Sequence, residues 1–189
     1  MIEQSLETAR LILRRWRAAD REPYAAMSAD PAVMDWLGGT RGRDESNAQI
    51  DRFEAQLEER GHGVLALEGK ADGAFLGFAA LAVTDHPPPV PQGVEVGWRL
   101  ARHAWGFGYA SEAGSALLAH GFEALGLDEI VSFTAAANLR SQAVMRRIAL
   151  SPDPARDFDH PTFTGGHPLR RHVVYAARNP HPNVFNTRK

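Results

Sequence analysis

Apolar residues along the chain change their spacing several times, and each change marks an element. Leu11 to Trp16 reads as a first strand. The following "AADREPYAAMSADPAVMDWLGG" reads as two short helical pieces, broken at Pro31 and stopped by Gly38 and Gly39. From Asp44 to Arg60, the residues Ile50, Phe53 and Leu57 fall at helical spacing and Gly61 follows as a stop, which predicts an amphipathic helix. Two apolar runs in "GVLALEGKADGAFLGFAALAV" flank a stretch of turn formers and predict a hairpin. The segment "TDHPPPVPQG" holds too many prolines for a strand interior and reads as a loop. "VEVGWRL" is strand-like again, and in "SEAGSALLAHGFEALG" the residues Ala113, Leu117 and Ala124 suit a buried helical face ended by Gly126.

"EIVSFTAA" predicts another strand, and "NLRSQAVMRRIAL" a helix with Val144 and Ile148 on one side. A loop from Ser151 to Arg170 then leads to a last strand, "HVVYAAR". Antiparallel strands followed by a strand, helix, strand, helix, strand alternation argue an α/β domain of the α+β kind over residues 1–178. The tail 179–189, with two prolines and several turn formers, is expected to be loosely held.

Length and composition narrow the partners. A chain of 189 residues suits one domain with a substantial core. A formal net charge of −2 gives no general attraction to a nucleic acid backbone, so none is expected. Without cysteine there is no disulfide framework, no thiolate zinc site and no cysteine nucleophile. The start "MIEQSLETARLILRRW" lacks the apolar core of a signal peptide, and no run reaches membrane-spanning length. A cytoplasmic protein without a membrane partner is expected.

The candidate chemistry begins in "HAWGFGYASEAG", where a strand hands over to a helix. Gly106 and Gly108 let the backbone approach a ligand, and a helix beginning near Tyr109 offers free amides and the positive end of its dipole. Together they suit a phosphate or pyrophosphate; a tight strand-to-helix connection is the plainer alternative. A P-loop would need a lysine and a Ser or Thr after the last glycine, where Tyr109 and Ala110 stand, and a dinucleotide fingerprint would need a third glycine. Neither nucleotide class fits.

"HAWGFGYASEA" resembles the acetyl-CoA loop of the GNAT N-acetyltransferase superfamily, and looks most like its RimJ/RimL-type branch. His103 stands where Gln or Arg is usual in that loop. Further along, Asn138, Ser141 and Met145 fall at the spacing of the family's Asn, Ser and Tyr/Leu/Met positions, and Ala149-Leu150 replaces a common Gly-Phe or Gly-Met. The opening "LETARLILRRW", and "DFDHP" and "GHPLRRHVVY" near the end, are also similar to this branch, so the resemblance spans roughly residues 6–178.

This resemblance implies a mixed, mostly antiparallel central sheet with two splayed parallel strands and flanking helices, binding acetyl-CoA as co-substrate. The splayed pair would be Val94–Leu100 and Glu129–Ala136. Amides of Trp98, Arg99 and Leu100 would hold the pantetheine and thioester, and His103 with Gly106, Phe107, Gly108, Tyr109 and Ala110 the pyrophosphate. Direct attack by a primary amine, on a small molecule or a protein N-terminus, would follow, and most such amines are protonated near neutral pH. A base is therefore needed, and Glu95 is the candidate. Strand phase leaves open whether it faces the cleft or solvent.

Asn138 would touch the cofactor near its reactive end while also suiting a helix N-cap, and Ser141 could meet the departing thiolate or simply sit on an exposed helix face. Met145 stands where a tyrosine often protonates that thiolate, and cannot donate; Ser141, a water or Tyr175 are the alternatives. "RDFDHPTF" with Asp159 and His160 is expected to line the acceptor pocket, its acidic pair favouring a cationic amine. Trp36 would form the opposite wall or sit in the core. No metal site is expected from His160, His167 and His172, whose spacing matches no compact ligand motif. Similar proteins are commonly homodimers. The competing function is an acyl-CoA-binding regulator that has lost turnover, suggested by Met145 and Ala149.

Overall fold

The computed structural model describes residues 5–84 and 88–180. The tail expectation therefore falls mostly outside the described residues, as does part of the proline-rich loop. A short strand β1 (Ser5–Glu7) precedes β2 (Leu11–Arg14), and helices α1 (Arg21–Ala29), α2 (Pro31–Met34) and α3 (Arg43–Arg60) follow. Pro31 opens α2, with the Asp30 side chain accepting from the Ala32 amide, so the break expected at proline is a fresh helix start.

The expected hairpin is β3 (Val64–Gly69) and β4 (Phe75–Val83), and it leads to β5 (Val94–Leu100). Then come α4 (Tyr109–Glu123), β6 (Glu129–Ala135), α5 (Leu139–Arg147) and β9 (Arg171–Arg178), with the two-residue strands β7 (Ser151–Pro152) and β8 (Phe158–Asp159) between the last two. The segment read as a plain loop from Ser151 to Arg170 thus contributes two short strands, both antiparallel to β9. Runs of two residues leave no periodicity to detect.

The described sheet runs β1-β2-β3-β4-β5-β6-β9-β7, with β8 also on β9. Every pairing is antiparallel except β5 with β6, which meet in one parallel register pair, Glu95 with Val131. Beyond that pair the two strands diverge. Near the start of β4, Gly77 has φ 133°, and a Cβ there would lie 2.2 Å from the Arg99 carbonyl oxygen, so only glycine lets β5 pass this close.

Helix α4 covers one face of the sheet with Ala113, Leu117 and Leu118. Its buried stripe continues to Gly121, where a Cβ would stand 2.6 Å from Ile130, and Ala124 caps the helix in solvent. The expectation that Ala124 is buried is corrected: Ala113, Leu117 and Gly121 form the packed stripe, but the helix ends at Glu123 and Ala124, although on the same face, is its exposed cap. On the opposite face, Trp16, Tyr24, Phe53, Phe75 and Phe78 form an aromatic cluster between α1, α3 and the first half of the sheet. The divergence of β5 from β6 opens between these two layers.

Candidate functional site

Strand β5 presents different groups in three directions. Ala101 donates its amide to Leu76, and the Leu100 carbonyl accepts from Trp105 Nε1 at 2.9 Å on the other side of the strand. Strand alternation then directs the amides of Trp98 and Leu100 into the opening between β5 and β6, and the amide of Arg99 towards Phe78 on β4. Of the three residues expected to hold a cofactor through the backbone, Trp98 and Leu100 are placed to do so, and Arg99 is turned away.

Downstream of β5, Ala101–Trp105 make a 3₁₀ turn with His103 exposed, and Gly106 and Gly108 have φ of 84° and 81°. A Cβ at Gly106 would meet nothing within 4 Å, so the loop is open rather than packed. Gly108 caps α4 without any side-chain bond, and the first intrahelical amide is that of Glu112, donating to the Gly108 carbonyl. Earlier amides of the first turn point out of the helix with its positive dipole end. Phe107 is exposed and stacks on Tyr109, while Ala110 is buried beneath them.

The loop is held from behind by residues that the sequence reading did not assign to the site. Glu112 accepts from the Thr8 hydroxyl at 2.6 Å and from the Arg10 amide and Nε at 2.8 and 2.7 Å, and Arg10 Nη1 reaches the Phe107 carbonyl at 3.0 Å. Arg10 also lies over the Tyr109 ring. Burial acts to raise the Glu112 carboxyl, but the hydrogen bonds from Thr8 and Arg10 outweigh it and hold it below the usual carboxylate range. The signal was present in "LETARL", as Thr8 and Arg10 flanking the first strand, but nothing local connects it to a glutamate about a hundred residues later.

Glu95 sits at the root of the opening, at the one register pair that joins β5 to β6. Its side chain is half-buried, and desolvation pushes its carboxyl up to about 8. Val96, on the other side of the strand, is fully buried. On the same side as Glu95, Gly97 leaves a bare strip: a Cβ there would meet only Glu95 Oε1, at 3.7 Å. Asn138 N-caps α5, accepting from the Ser141 amide and donating to the Thr134 hydroxyl at 3.0 Å, and Ser141 is half-buried in the first turn. Met145 is fully buried in the core. The Tyr175 hydroxyl accepts from Arg146 at 2.7 Å and donates to Gln142, so it is engaged within the protein.

Trp36 is half-buried and lines a cleft of about 380 Å³ with Trp105, Asn138, Leu139 and Arg140, so it stands beside the glycine loop and the α5 N-terminus. The "DFDHP" segment carries β8, which pairs with β9. Phe133 meets Phe158 edge-on, His172 stacks on Phe158, and the His160 and His172 rings lie 4.9 Å apart. Burial lowers His172 to about 4. Phe163 reaches the loop after α2, 3.3 Å from where a Gly38 Cβ would be, which brings the two expected walls together. The expectation that the acidic residues here favour a cation is corrected: Asp157 is 3.6 Å from Arg171 and accepts from the Val174 amide, and Asp159 pairs with Arg170 at 3.1 Å. Among the described residues no group of three His, Asp or Glu side chains is arranged to hold a metal ion.

Residues 10–151 match the acetyltransferase (GNAT) domain. The chain belongs to the GNAT acetyltransferase family. Members of this family take acetyl groups from acetyl-CoA, and the open amides at Gly106–Ala110 beside the diverging strands fit such a co-substrate. A curated relative from Aspergillus fumigatus, an FsC-acetyl coenzyme A-N(2)-transacetylase, is 31% identical over 154 residues, covering 79% of this chain and 66% of its own length. The chain therefore spans just under two thirds of that relative. An acetyltransferase structure from Agrobacterium tumefaciens is 30% identical, with a TM-score of 0.74 over 92% of this chain and 94% of that one. The fold is also that of RimL, a ribosomal L7/L12 α-N-protein acetyltransferase solved with coenzyme A, at a TM-score of 0.75, 16% identity, and coverage of 93% and 98%. Among the described residues no helix is long and apolar enough to cross a membrane.

Proposed function

We propose that this GNAT protein is an N-acetyltransferase that moves an acetyl group from acetyl-CoA to a primary amine by direct attack, with Glu95 as the base. The observation that carries this reading is the position of Glu95 at the point where β5 and β6 part, on a strand whose next free amides, at Trp98 and Leu100, face the same opening. In this reading the amides of the Gly106–Ala110 turn bind the pyrophosphate. Those of Trp98 and Leu100 align the pantetheine arm and the thioester oxygen, and they stabilise the oxyanion that forms on attack. Glu95 takes the ammonium proton directly or through a water, the amine nitrogen bonds to the carbonyl carbon, the carbon–sulfur bond breaks, and the second proton shed by the nitrogen passes to water or to the departed thiolate.

No side chain is needed to protonate the leaving group. Met145 cannot donate, and Tyr175 is held by Arg146 and Gln142. A CoA thiol, with a pKa near that of cysteine at about 8.5, leaves readily as the thiolate. Asn138 orients the first turn of α5 towards the reactive end, with Ser141 beside it.

Calorimetric titration with acetyl-CoA, followed by thiol release with a panel of amines, tests the reading. Saturable binding with amine-dependent release supports it. Binding without release from any amine points to the acyl-CoA-binding regulator instead, and no binding removes both.

A further inference from the structure

The face of β5 that carries Glu95 continues, past the bare strip at Gly97, to Arg99. Arg99 Nε and Nη1 are shielded from solvent and have no hydrogen-bond partner, and among the described residues no carboxylate pairs with it. Its guanidinium lies 5.0 Å from the Phe78 ring centroid, a contact that uses the flat face of the group, and the Tyr24 hydroxyl approaches one edge, which leaves Nε and Nη1 unpartnered. A second arginine stands nearby. Arg41, just before α3, spends Nε on Glu45 at 2.7 Å, and its Nη1 is again buried and unpartnered. The Ser28 hydroxyl of α1 is buried beside the Tyr24 hydroxyl, and the Ser28 carbonyl accepts the Arg41 amide, so the three groups share one corner.

Tyr24 completes this corner, with its hydroxyl donating to Gln49. Burial pushes the Arg99 guanidinium below its usual range; Tyr24 counters this, and the like charge of Arg41 adds to it. Other arginines of the chain show what an arginine does when the protein supplies a partner. Arg14 is gripped by Asp20 and Glu68, and Arg156 by Glu129 and Asp153. Here Arg41 has one carboxylate, Glu45, and Arg99 has none among the described residues, so the two nearby guanidinium groups lack the full charge that would offset their desolvation. The missing partner is an anion, and planar guanidinium forks match a carboxylate or a phosphate.

The cofactor does not supply that anion by the geometry of the strand. Trp98 projects on the α4 side, where its ring is 3.7 Å from a Gly114 Cβ position, and the glycine loop belongs to that side. Arg99 projects to the other side, with Glu95. We infer that the amine acceptor lies over Gly97, with its amine towards Glu95 and a carboxylate or phosphate group held by Arg99, Arg41 and Ser28. This rests on the acetyltransferase reading above and adds the substrate class: small primary amines that carry an anionic group.

The test pairs amines that differ only in that charge: α- and ω-amino acids of increasing length against their carboxamides, and phosphoethanolamine against ethanolamine. Thiol release is measured with the wild-type protein, Arg99→Gln and Arg41→Gln. At least one anionic member is expected to exceed its neutral partner about tenfold or more in kcat/KM. In either variant that ratio falls towards one, mainly through KM, with acetyl-CoA affinity unchanged. The carboxylate and phosphate arms separate the two anion sources. Equal rates within every pair, or a preference that survives both substitutions, overturns the inference.

Thermal shift with the same pairs separates this from failure of the transferase reading. If acetyl-CoA neither binds nor turns over, stabilisation by the anionic members alone, lost in Arg99→Gln, still supports the anion site. Equal stabilisation, or none, overturns it. Should Arg99→Gln fail to fold, Arg41→Gln carries both measurements, because Arg41 lies in a loop and is partly exposed.

Discussion

The two sides of β5 are built on opposite plans. On the α4 side, groups near the glycine loop have partners within the protein: Glu112 has Thr8 and Arg10, the Leu100 carbonyl has Trp105, and Arg140 lies over Trp105. On the other side, among the described residues, the Glu95 carboxyl is desolvated and Arg99 Nε and Nη1 and Arg41 Nη1 are buried without a hydrogen-bond partner. The contrast teaches that a site made of backbone amides can be finished in advance, since its geometry is fixed by turns and helix ends. A site made of charged side chains stays incomplete until a ligand arrives, and its unpaired groups carry a cost in stability.

The largest break in this contrast is a side chain in the loop. Gly106→Val, at φ 84°, is expected to weaken acetyl-CoA binding by at least about a hundredfold in calorimetry, since the residue must leave the left-handed region and drag the amides with it. Retained affinity would put the co-substrate elsewhere. Next in size, Glu95→Gln should lower kcat by about a hundredfold. The sign with pH follows from its carboxyl at about 8: below that value the base is protonated, so the wild-type rate climbs until about pH 8 and then levels, and the variant loses this inflection. A variant whose pH profile matches the wild type would remove Glu95 from the mechanism.

The same residue sharpens the comparison through stability. A carboxyl raised in the folded state binds more protons than in the unfolded chain between about 4.5 and 8. Stability therefore falls as pH rises through that window. Glu95→Gln should be the more stable protein above pH 8, by on the order of 1 kcal/mol after allowing for solvent access, and no more stable near pH 4. Melting curves at the two pH values decide it.

On the finished side, Glu112→Gln has the opposite sign. It removes a carboxylate held below its usual range, so its cost is present near neutral pH and fades in acid. The expected effect is about 1 kcal/mol in melting experiments and a few-fold loss of acetyl-CoA affinity through a looser loop. Smallest of all, Tyr175→Phe should change turnover by less than about threefold, because its hydroxyl is occupied by Arg146 and Gln142. A tenfold drop would make Tyr175 the acid.

The contrast between the two sides also divides what could be read from the chain alone. Local order made most elements legible. Pro31 and the paired Gly38 and Gly39 punctuate the early helices, "EGKADG" separates two strands of one hairpin, and the glycine stretch marks a strand-to-helix handover with open adjacent amides. The fold and the open glycine turn were within reach because turns, caps and periodicity act over a few residues. The two-residue strands β7 and β8 escaped for want of periodicity, and Ala124 was placed in the core because the position of Gly121 against Ile130 is a packing fact.

Only the tertiary structure decided which way β5 faces. A strand offers each residue one of two sides, and the sequence does not say which is core, so the Glu95 orientation stayed open until Val96 was seen buried behind it. Register likewise turned the Arg99 amide towards β4 and its side chain towards Arg41, two residues 58 positions apart. The arginines that answer Asp157 and Asp159, and the Thr8 and Arg10 pair that answers Glu112, were all in plain view as letters. Charge pairing across distant segments depends on distances of a few ångströms, which chain order does not contain. The sequence by itself determined the elements and the glycine loop; folding determined which charges, among the described residues, were left without a partner in the protein.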